Sequence, residues 1–206
     1  MALLGLQDIV EKWHRCNQWL NAYSAIVQVA SSGGHVGIVR ALLDKGADVN
    51  VQDGRYSNES QAASYQGSTE IVGLLLDKGA DINAQGEDYG NALQAASYKG
   101  HADMVRLLLH KGANVNEQGG FYGSALQAAS YQGSTKIVRL LLDKRITDVN
   151  AQGGYYGNAL QAASYQGHTE IVRLLLDKRA NVNALGGCYS TALQAASCQG
   201  TQSTEI

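Results

Sequence analysis

The sequence predicts an all-α solenoid of stacked helix-turn-helix units with protruding turns, and three observations carry that prediction. A motif close to Tyr-Gly-Asn-Ala-Leu-Gln-Ala-Ala-Ser-Tyr recurs with its first tyrosine at Tyr23, Tyr56, Tyr89, Tyr122, Tyr156 and Tyr189, so the spacings are 33, 33, 33, 34 and 33 residues. A fixed period of this size marks a stack of small units, none of which can bury its apolar face alone. Within each period an Ala/Ser-rich segment precedes a segment with apolar residues at helical spacing, and an Asn- and Gly-rich stretch follows. The chain contains no proline. Units one to six are numbered here from those six tyrosines.

The unit from Tyr89 to Phe121 shows how each element arises. Asn91 is placed to cap a short helix made of Ala92-Leu-Gln-Ala-Ala-Ser-Tyr98, and Gly100 ends it. His101 opens a longer helix in which Met104, Val105, Leu107, Leu108 and Leu109 form the apolar stripe, while Asp103 and Arg106 face outward. Lys111 and Gly112 close it, the glycine being able to adopt the left-handed conformation of a helix C-terminus. Residues 113–120 are Asn- and Gly-rich and carry the chain outward through a turn. Small Ala and Ser side chains on the first helix let neighbouring units approach closely. The leucine triads Leu74-Leu75-Leu76 and Leu107-Leu108-Leu109 are expected to lie mainly buried between layers.

These segments resemble the ankyrin repeat. Asn91-Ala-Leu-Gln-Ala-Ala, Gly100-His, Val105-Arg-Leu-Leu-Leu and Gly112-Ala-Asn-Val-Asn follow its order and its period of 33. The likeness spans roughly residues 23–200, with Ala and Gln standing where the ankyrin signature Thr-Pro-Leu-His has Pro and His. In this variant form the chain looks like the ankyrin arrays of filamentous-fungal proteins, often found after a NACHT-type nucleotide-binding domain. The resemblance implies a non-catalytic scaffold that binds a protein partner on the concave face. The alternative is a detached regulatory array of a larger receptor-like or enzyme chain.

The units also differ among themselves. Residues 1–22 read as a degenerate partial unit, with Trp13 and Trp19 as an N-terminal lid, residues 23–200 as the array, and residues 201–206 as a truncated, frayed tail. Unit two has Glu59-Ser60 where unit three has Ala92-Leu93, which makes it the weakest internal link. Units four and five carry Arg145 and Arg179 where the other long helices end in glycine, and unit four has one extra residue. Its turn must bulge or its helix must end differently. The last unit has no long helix after it, so an apolar flank is expected to remain exposed, and the chain is expected to be monomeric unless that end self-associates.

Composition excludes several function classes. A net charge of −2 gives no basic footprint for nucleic acid. No run approaches the ~18 apolar residues of a membrane span, and three irregularly spaced cysteines favour a reducing compartment, so the expected location is cytoplasmic. His35, His101 and His168 recur one per unit, too far apart to share a metal ion, and are expected to bond local turn backbone. Gly119-Gly120 and Gly153-Gly154 lack any phosphate-loop context and read as turn residues. The sequon Asn58-Glu-Ser is assigned to chance, and Cys188 and Cys198 to substitution rather than a redox pair. No catalytic, cofactor or metal site is expected.

One constellation points to binding. Tyr65, Tyr98, Tyr131 and Tyr165 recur at the end of the short helix, a place that lies on the concave face in the proteins this chain resembles. The turn tips Arg55, Asp88, Phe121 and Tyr155 are the most variable position of the unit, and Lys99 lies at the rim. Tyrosine offers large contact area, few rotors and a polar end, which suits recognition, but a tyrosine in nearly every unit also suits a stacking ladder that stiffens the array. The tips, because they vary, have the stronger claim to specificity.

Overall fold

The computed structural model describes residues 26–50, 58–144 and 146–202. The expected N-terminal lid, the Arg55 tip, Arg145 and the last four residues lie outside the described residues. Among the described residues eleven helices follow one another: α1 over residues 26–32, α2 Val36–Asp44, α3 Glu59–Gln66, α4 Thr69–Asp77, α5 Ala92–Lys99, α6 Ala102–His110, α7 Ala125–Gln132, α8 Thr135–Leu142, α9 Ala159–Tyr165, α10 Thr169–Asp177 and α11 Ala192–Gln202. Units one to five each hold a first helix, the short helix, and a second at least as long, the long helix; α11 stands in the short-helix place of unit six. Among the described residues there is no β-strand, only isolated bridges Gly86–Gly90, Gly119–Gly123 and Gly153–Gly157 that close the base of the turns leading into units three, four and five.

Helices α3, α5, α7 and α9 each start on a side-chain cap. Asn58, Asn91 and Asn158 accept from the backbone N–H of Gln61, Gln94 and Gln161, and Ser124 accepts from that of Gln127. In unit three the cap is reciprocal, because the Asn91 N–H donates back to Gln94 Oε1 at 2.5 Å. Asn58 is buried and spends its side chain on this cap, which leaves the sequon inaccessible. Gly67, Gly100 and Gly133 then turn left-handed and end α3, α5 and α7.

The core is a continuous file of apolar side chains. Ala62, Ala63, Ala95, Ala96, Ala128, Ala129, Ala162 and Ala163 are fully buried where successive short helices meet, so their lack of bulk sets the close spacing. The long helices deliver Ile71, Val72, Leu75, then Met104, Val105, Leu108, then Ile137, Val138, Leu141. Of each leucine triad only the middle member is fully buried; Leu74, Leu76, Leu107 and Leu109 are half-buried against the same core. Three consecutive residues of a helix span most of its circumference, so only one can point directly inward.

Buried glutamines and exposed asparagines stitch the stack. Gln94 Nε2 donates forward to the carbonyls of Gly119 and Gly123, Gln127 Nε2 to those of Gly153 and Gly157, and Gln161 Nε2 to those of Gly186 and Ser190. Gln61 reaches the Gly90 carbonyl in the same way. Along the loops Asn50 accepts from the Asp81 N–H, Asn83 from Asn114, Asn116 from Asp148 and Asn150 from Asn181. One glutamine therefore bridges each junction from unit two to unit six, and one asparagine each junction from unit one to unit five.

The histidines join units as well, which corrects the expectation of a local turn bond. His101 Nε2 meets the Tyr65 carbonyl at 3.0 Å and His168 Nε2 the Tyr131 carbonyl at 3.1 Å, each reaching back to the preceding short helix. A carbonyl only accepts, so Nε2 carries the proton. The glycines that end those helices make room: a Cβ on Gly67 or Gly133 would lie 2.9 or 2.6 Å from the imidazole.

The irregular units resolve locally. Helix α8 ends at Leu142 with Asp143 as its cap, and Thr147 Oγ1 donates to the Leu141 carbonyl at 2.6 Å, replacing the usual glycine closure. Arg179 takes a left-handed φ of 66°, a conformation costing a non-glycine residue about 1–2 kcal/mol. In unit two Glu59 and Ser60 are both buried, and among the described residues Glu59 Oε2 finds no hydrogen-bond partner. The last helix, α11, continues through Gly200 to Gln202 instead of stopping at the glycine, and Leu193 is 81 % exposed where Leu93, Leu126 and Leu160 are buried.

Candidate functional site

Two interleaved files of tyrosine run along the array. Tyr65, Tyr98, Tyr131 and Tyr165 stand at the ends of α3, α5, α7 and α9, and Tyr89, Tyr122, Tyr156 and Tyr189 rise from the turns to fill the gaps between them. Ring centroids are 4.8 Å apart for Tyr65–Tyr89, 4.5 Å for Tyr98–Tyr122, 4.7 Å for Tyr131–Tyr156 and 4.8 Å for Tyr165–Tyr189. Contacts such as Tyr89–Tyr98 at 5.9 Å and Tyr156–Tyr165 at 5.4 Å close the spaces between pairs. The result is one ladder of eight rings. Apart from Tyr156, which is buried, its members are half-buried.

The ladder also holds its phenols. Burial first, then the hydroxyl of Tyr98, pushes the Tyr122 phenol well above its ordinary range, and burial together with the Tyr131 hydroxyl does the same to Tyr156. For Tyr189 the hydrogen bond to Tyr165 is the leading cause of an upward shift. The Tyr122, Tyr156 and Tyr189 hydroxyls therefore stay neutral throughout the physiological range.

The turn tips form a third file. The Phe121 N–H donates to the Asp88 carbonyl at 2.9 Å, the Tyr155 N–H to that of Phe121 at 2.8 Å, and the Cys188 N–H to that of Tyr155 at 2.9 Å. Neighbouring tips are thus locked in register by one backbone bond per unit. Phe121 and Tyr155 lie face to face at 4.9 Å and 15°, yet remain 45 % and 47 % exposed. Gly120 and Gly154 hold φ near 61° and 62° beneath them, and a Cβ on either would strike backbone of the preceding tip. The paired glycines are turn residues, as their context suggests.

The predicted binding residues therefore fall into two groups. Phe121 and Tyr155 form one exposed shelf, with Asp88 exposed on the neighbouring tip. Tyr65, Tyr98, Tyr131 and Tyr165 belong to the half-buried ladder, and Lys99 Nζ sits 4.5 Å over the Tyr65 ring in a cation–π contact across units. Sequence reasoning treated Tyr89, Tyr122, Tyr156 and Tyr189 as markers of phase and missed them as ladder members. Their signal was the strict recurrence of a bulky aromatic beside a turn glycine. Cys188 and Cys198 are exposed and not joined in a disulfide, and among the described residues no group of three or more His, Cys, Asp or Glu is placed to hold a metal ion.

Paired helices stacked at a period of 33, with glycine turns projecting from one edge, define a helical repeat scaffold. The family model for ankyrin repeats matches three overlapping stretches, residues 28–119, 59–153 and 93–186. The chain belongs to the ankyrin-repeat family, whose members generally serve as protein–protein interaction modules. A search of curated proteins finds no match. Among the described residues no helix is long and apolar enough to cross a membrane.

Proposed function

We propose that this array is a non-catalytic scaffold that holds a protein partner against its turn tips and the adjoining ends of its short helices, on the concave side and in the cytoplasm. The observation that carries the reading is the Phe121–Tyr155 shelf: two large rings stacked on each other, nearly half exposed, on a backbone locked by tip-to-tip hydrogen bonds. Such a shelf presents apolar area with little rotor entropy left to lose on binding, which is the property of an interface anchor. Close packing of the Ala-faced short helices supports placing the concavity on their side. The second reading, a regulatory array of a larger receptor-like chain, rests on the resemblance of the Asn-Ala-Leu-Gln-Ala-Ala variant to the fungal NACHT-associated arrays.

The test compares capture of a crosslinked partner by the wild-type chain and by two double variants. Phe121→Ala with Tyr155→Ala is expected to weaken binding by about 2–4 kcal/mol with the fold intact. Arg106→Ala with Arg173→Ala on the exposed side of the long helices is expected to be nearly neutral; Arg106 makes an exposed pair with Asp103 three residues away, at 2.7 Å. If the arginine variant loses the partner and the aromatic variant keeps it, the partner sits on the opposite face and the assignment is wrong.

A further inference from the structure

A file of ion pairs joins the C-terminal ends of the long helices and stops at unit four. Lys78 Nζ lies 3.5 Å from Asp44 Oδ1 and Lys111 Nζ 3.8 Å from Asp77 Oδ1, so each lysine reaches back to the aspartate that ends the preceding long helix. Two separate changes break the series. His110 ends α6 where α2 and α4 end in aspartate, so the residue behind Lys144 is a histidine instead of a carboxylate. Helix α8 then stops at Leu142, which leaves Asp143 as a cap beyond its last turn, and no Asp143–Lys178 pair forms. Among the described residues neither Lys144 nor Lys178 is in an ion pair, and both are exposed.

Both lysines border one cleft of about 370 Å³, lined by Leu142, Asp143, Lys144, Thr147, Val149 and Lys178. The loop with the extra residue frames it and is held in place. The Thr147 N–H donates to the Lys144 carbonyl at 3.0 Å, the Thr147 hydroxyl to that of Leu141 at 2.6 Å, and Asn116 Nδ2 to that of Ile146 at 2.6 Å. Leu142 and Val149 supply apolar lining, and Ile146 in the same loop is 73 % exposed. Positive charge extends past the cleft, because Lys178 is followed by the exposed Arg179 at the place where units one to three have Gly46, Gly79 and Gly112. All four residues are left-handed, with φ of 66° for Arg179 and 86°, 89° and 94° for the glycines. Unit five therefore carries a cation there against its backbone preference.

The cleft selects its occupant by charge and by shape. A cation would be repelled by the two ammonium groups, and a wholly apolar occupant would strip water from them without replacing it. A carboxylate beside an aliphatic side chain answers both features. A continuous run of phosphates does not, because Asp143 belongs to the lining and opposes it. We infer that the cleft between the ends of α8 and α10 is a second docking surface of the array, for an acidic polypeptide segment in which a glutamate or aspartate adjoins an aliphatic residue. The carboxylate lies between Lys144 and Lys178, the lysine stems and Val149 cover the aliphatic side chain, and Arg179 adds to the field that draws the segment in. This surface works independently of the turn tips, so one array can hold two segments at once.

The probe is the blocked peptide acetyl-Gly-Leu-Glu-Leu-Gly-amide, titrated into the isotope-labelled protein and followed by NMR. Its glutamine counterpart keeps the shape and removes the charge; acetyl-Gly-Ser-Glu-Ser-Gly-amide keeps the charge and removes the aliphatic arms. Saturable shifts at Thr147, Val149 and Lys178 are expected with the first peptide, with affinity lower by at least about fivefold for either counterpart. Lys144→Gln with Lys178→Gln breaks no ion pair among the described residues, so it should leave the melting temperature unchanged and weaken the peptide by at least about fivefold. Phe121→Ala with Tyr155→Ala should bind the peptide as the wild type does. Equal binding of either counterpart, shifts centred elsewhere, no saturable shift, an unaffected lysine variant, or tighter binding of oligothymidine at the same residues overturns the inference. Loss of the peptide in the aromatic variant would place it at the tips and overturn the second surface as well.

Discussion

Glu59 is the residue most at odds with its surroundings. It occupies the first turn of α3 where units three, four and five place a buried alanine, and burial raises its carboxyl from the usual 4.5 to about 7, with its own backbone N–H working against that and the negative charge of Asp48 adding to it. A folded-state value above the unfolded one means that the folded chain holds the proton more tightly. The stability of unit two is thus full below about pH 4.5 and declines as pH rises to about 7, above which the loss is complete. The shift corresponds to a loss on the order of 3 kcal/mol. Glu59→Gln keeps the shape and cannot ionise, so its stability advantage over wild type in urea should grow between pH 5 and pH 8; a difference that stays flat would show Glu59 to be hydrated. Glu59→Ala with Ser60→Leu restores the residues of unit three and should stabilise the chain by roughly 1–3 kcal/mol at neutral pH. A neutral or negative result would mean that unit two has repacked around its polar pair.

At the scale of the element, the glutamine after each Ala-Leu carries more than its place in the sequence suggests. The pattern shows helices, caps and the inward stripe because those depend on neighbours within four residues, and Asn91, Gly100 and Gly112 take the roles their spacing implies. The partners of Gln127 lie 26 and 30 residues ahead, so no local periodicity reveals them. Only the recurrence of a polar residue on a buried Ala/Leu face hints that a bond is needed there. Gln127→Leu should leave the Gly153 carbonyl without its side-chain donor and the Gly157 carbonyl with the Gly153 N–H as its remaining partner, and cost about 2–4 kcal/mol, while the exposed Gln66→Leu at the end of α3 should change stability by less than about 0.5 kcal/mol. Equal costs would place the Gln127 bonds among dispensable contacts. The middle leucine of each long helix has the converse role. Leu108→Asp puts a charge into the fully buried center of α6 and should unfold neighbouring units together, seen as loss of helix by circular dichroism across more than one unit.

Across the whole molecule the stack is uneven, because each unit is stabilised by its own helices and by the two neighbours it touches. The period made the architecture legible, and the position that varies most between units drew attention to the tips, where Asp88, Phe121 and Tyr155 stand in one file joined by backbone bonds. What the tyrosines do was not legible: an aromatic that recurs every unit reads the same in one dimension whether it stacks or binds, and only the interleaving of two files shows a ladder. Leu193 brings these features together. It holds the place of Leu126 in the repeat, yet it is 81 % exposed against 2 % for Leu126, because α11 has no long helix packed on that side among the described residues. Identical substitutions at the two positions should therefore differ widely. Leu126→Asp is expected to unfold unit four, at a cost above about 4 kcal/mol, whereas Leu193→Asp should change stability by less than about 0.5 kcal/mol. Native-state hydrogen exchange gives the same contrast without mutation, with amides of α11 opening at lower free energy than those of α7, which is covered on both sides. If Leu193→Asp proves as costly as Leu126→Asp, or α11 is as protected as α7 in a monomer at low concentration, a segment outside the described residues covers that face; if the protection appears only as concentration rises, a second copy does.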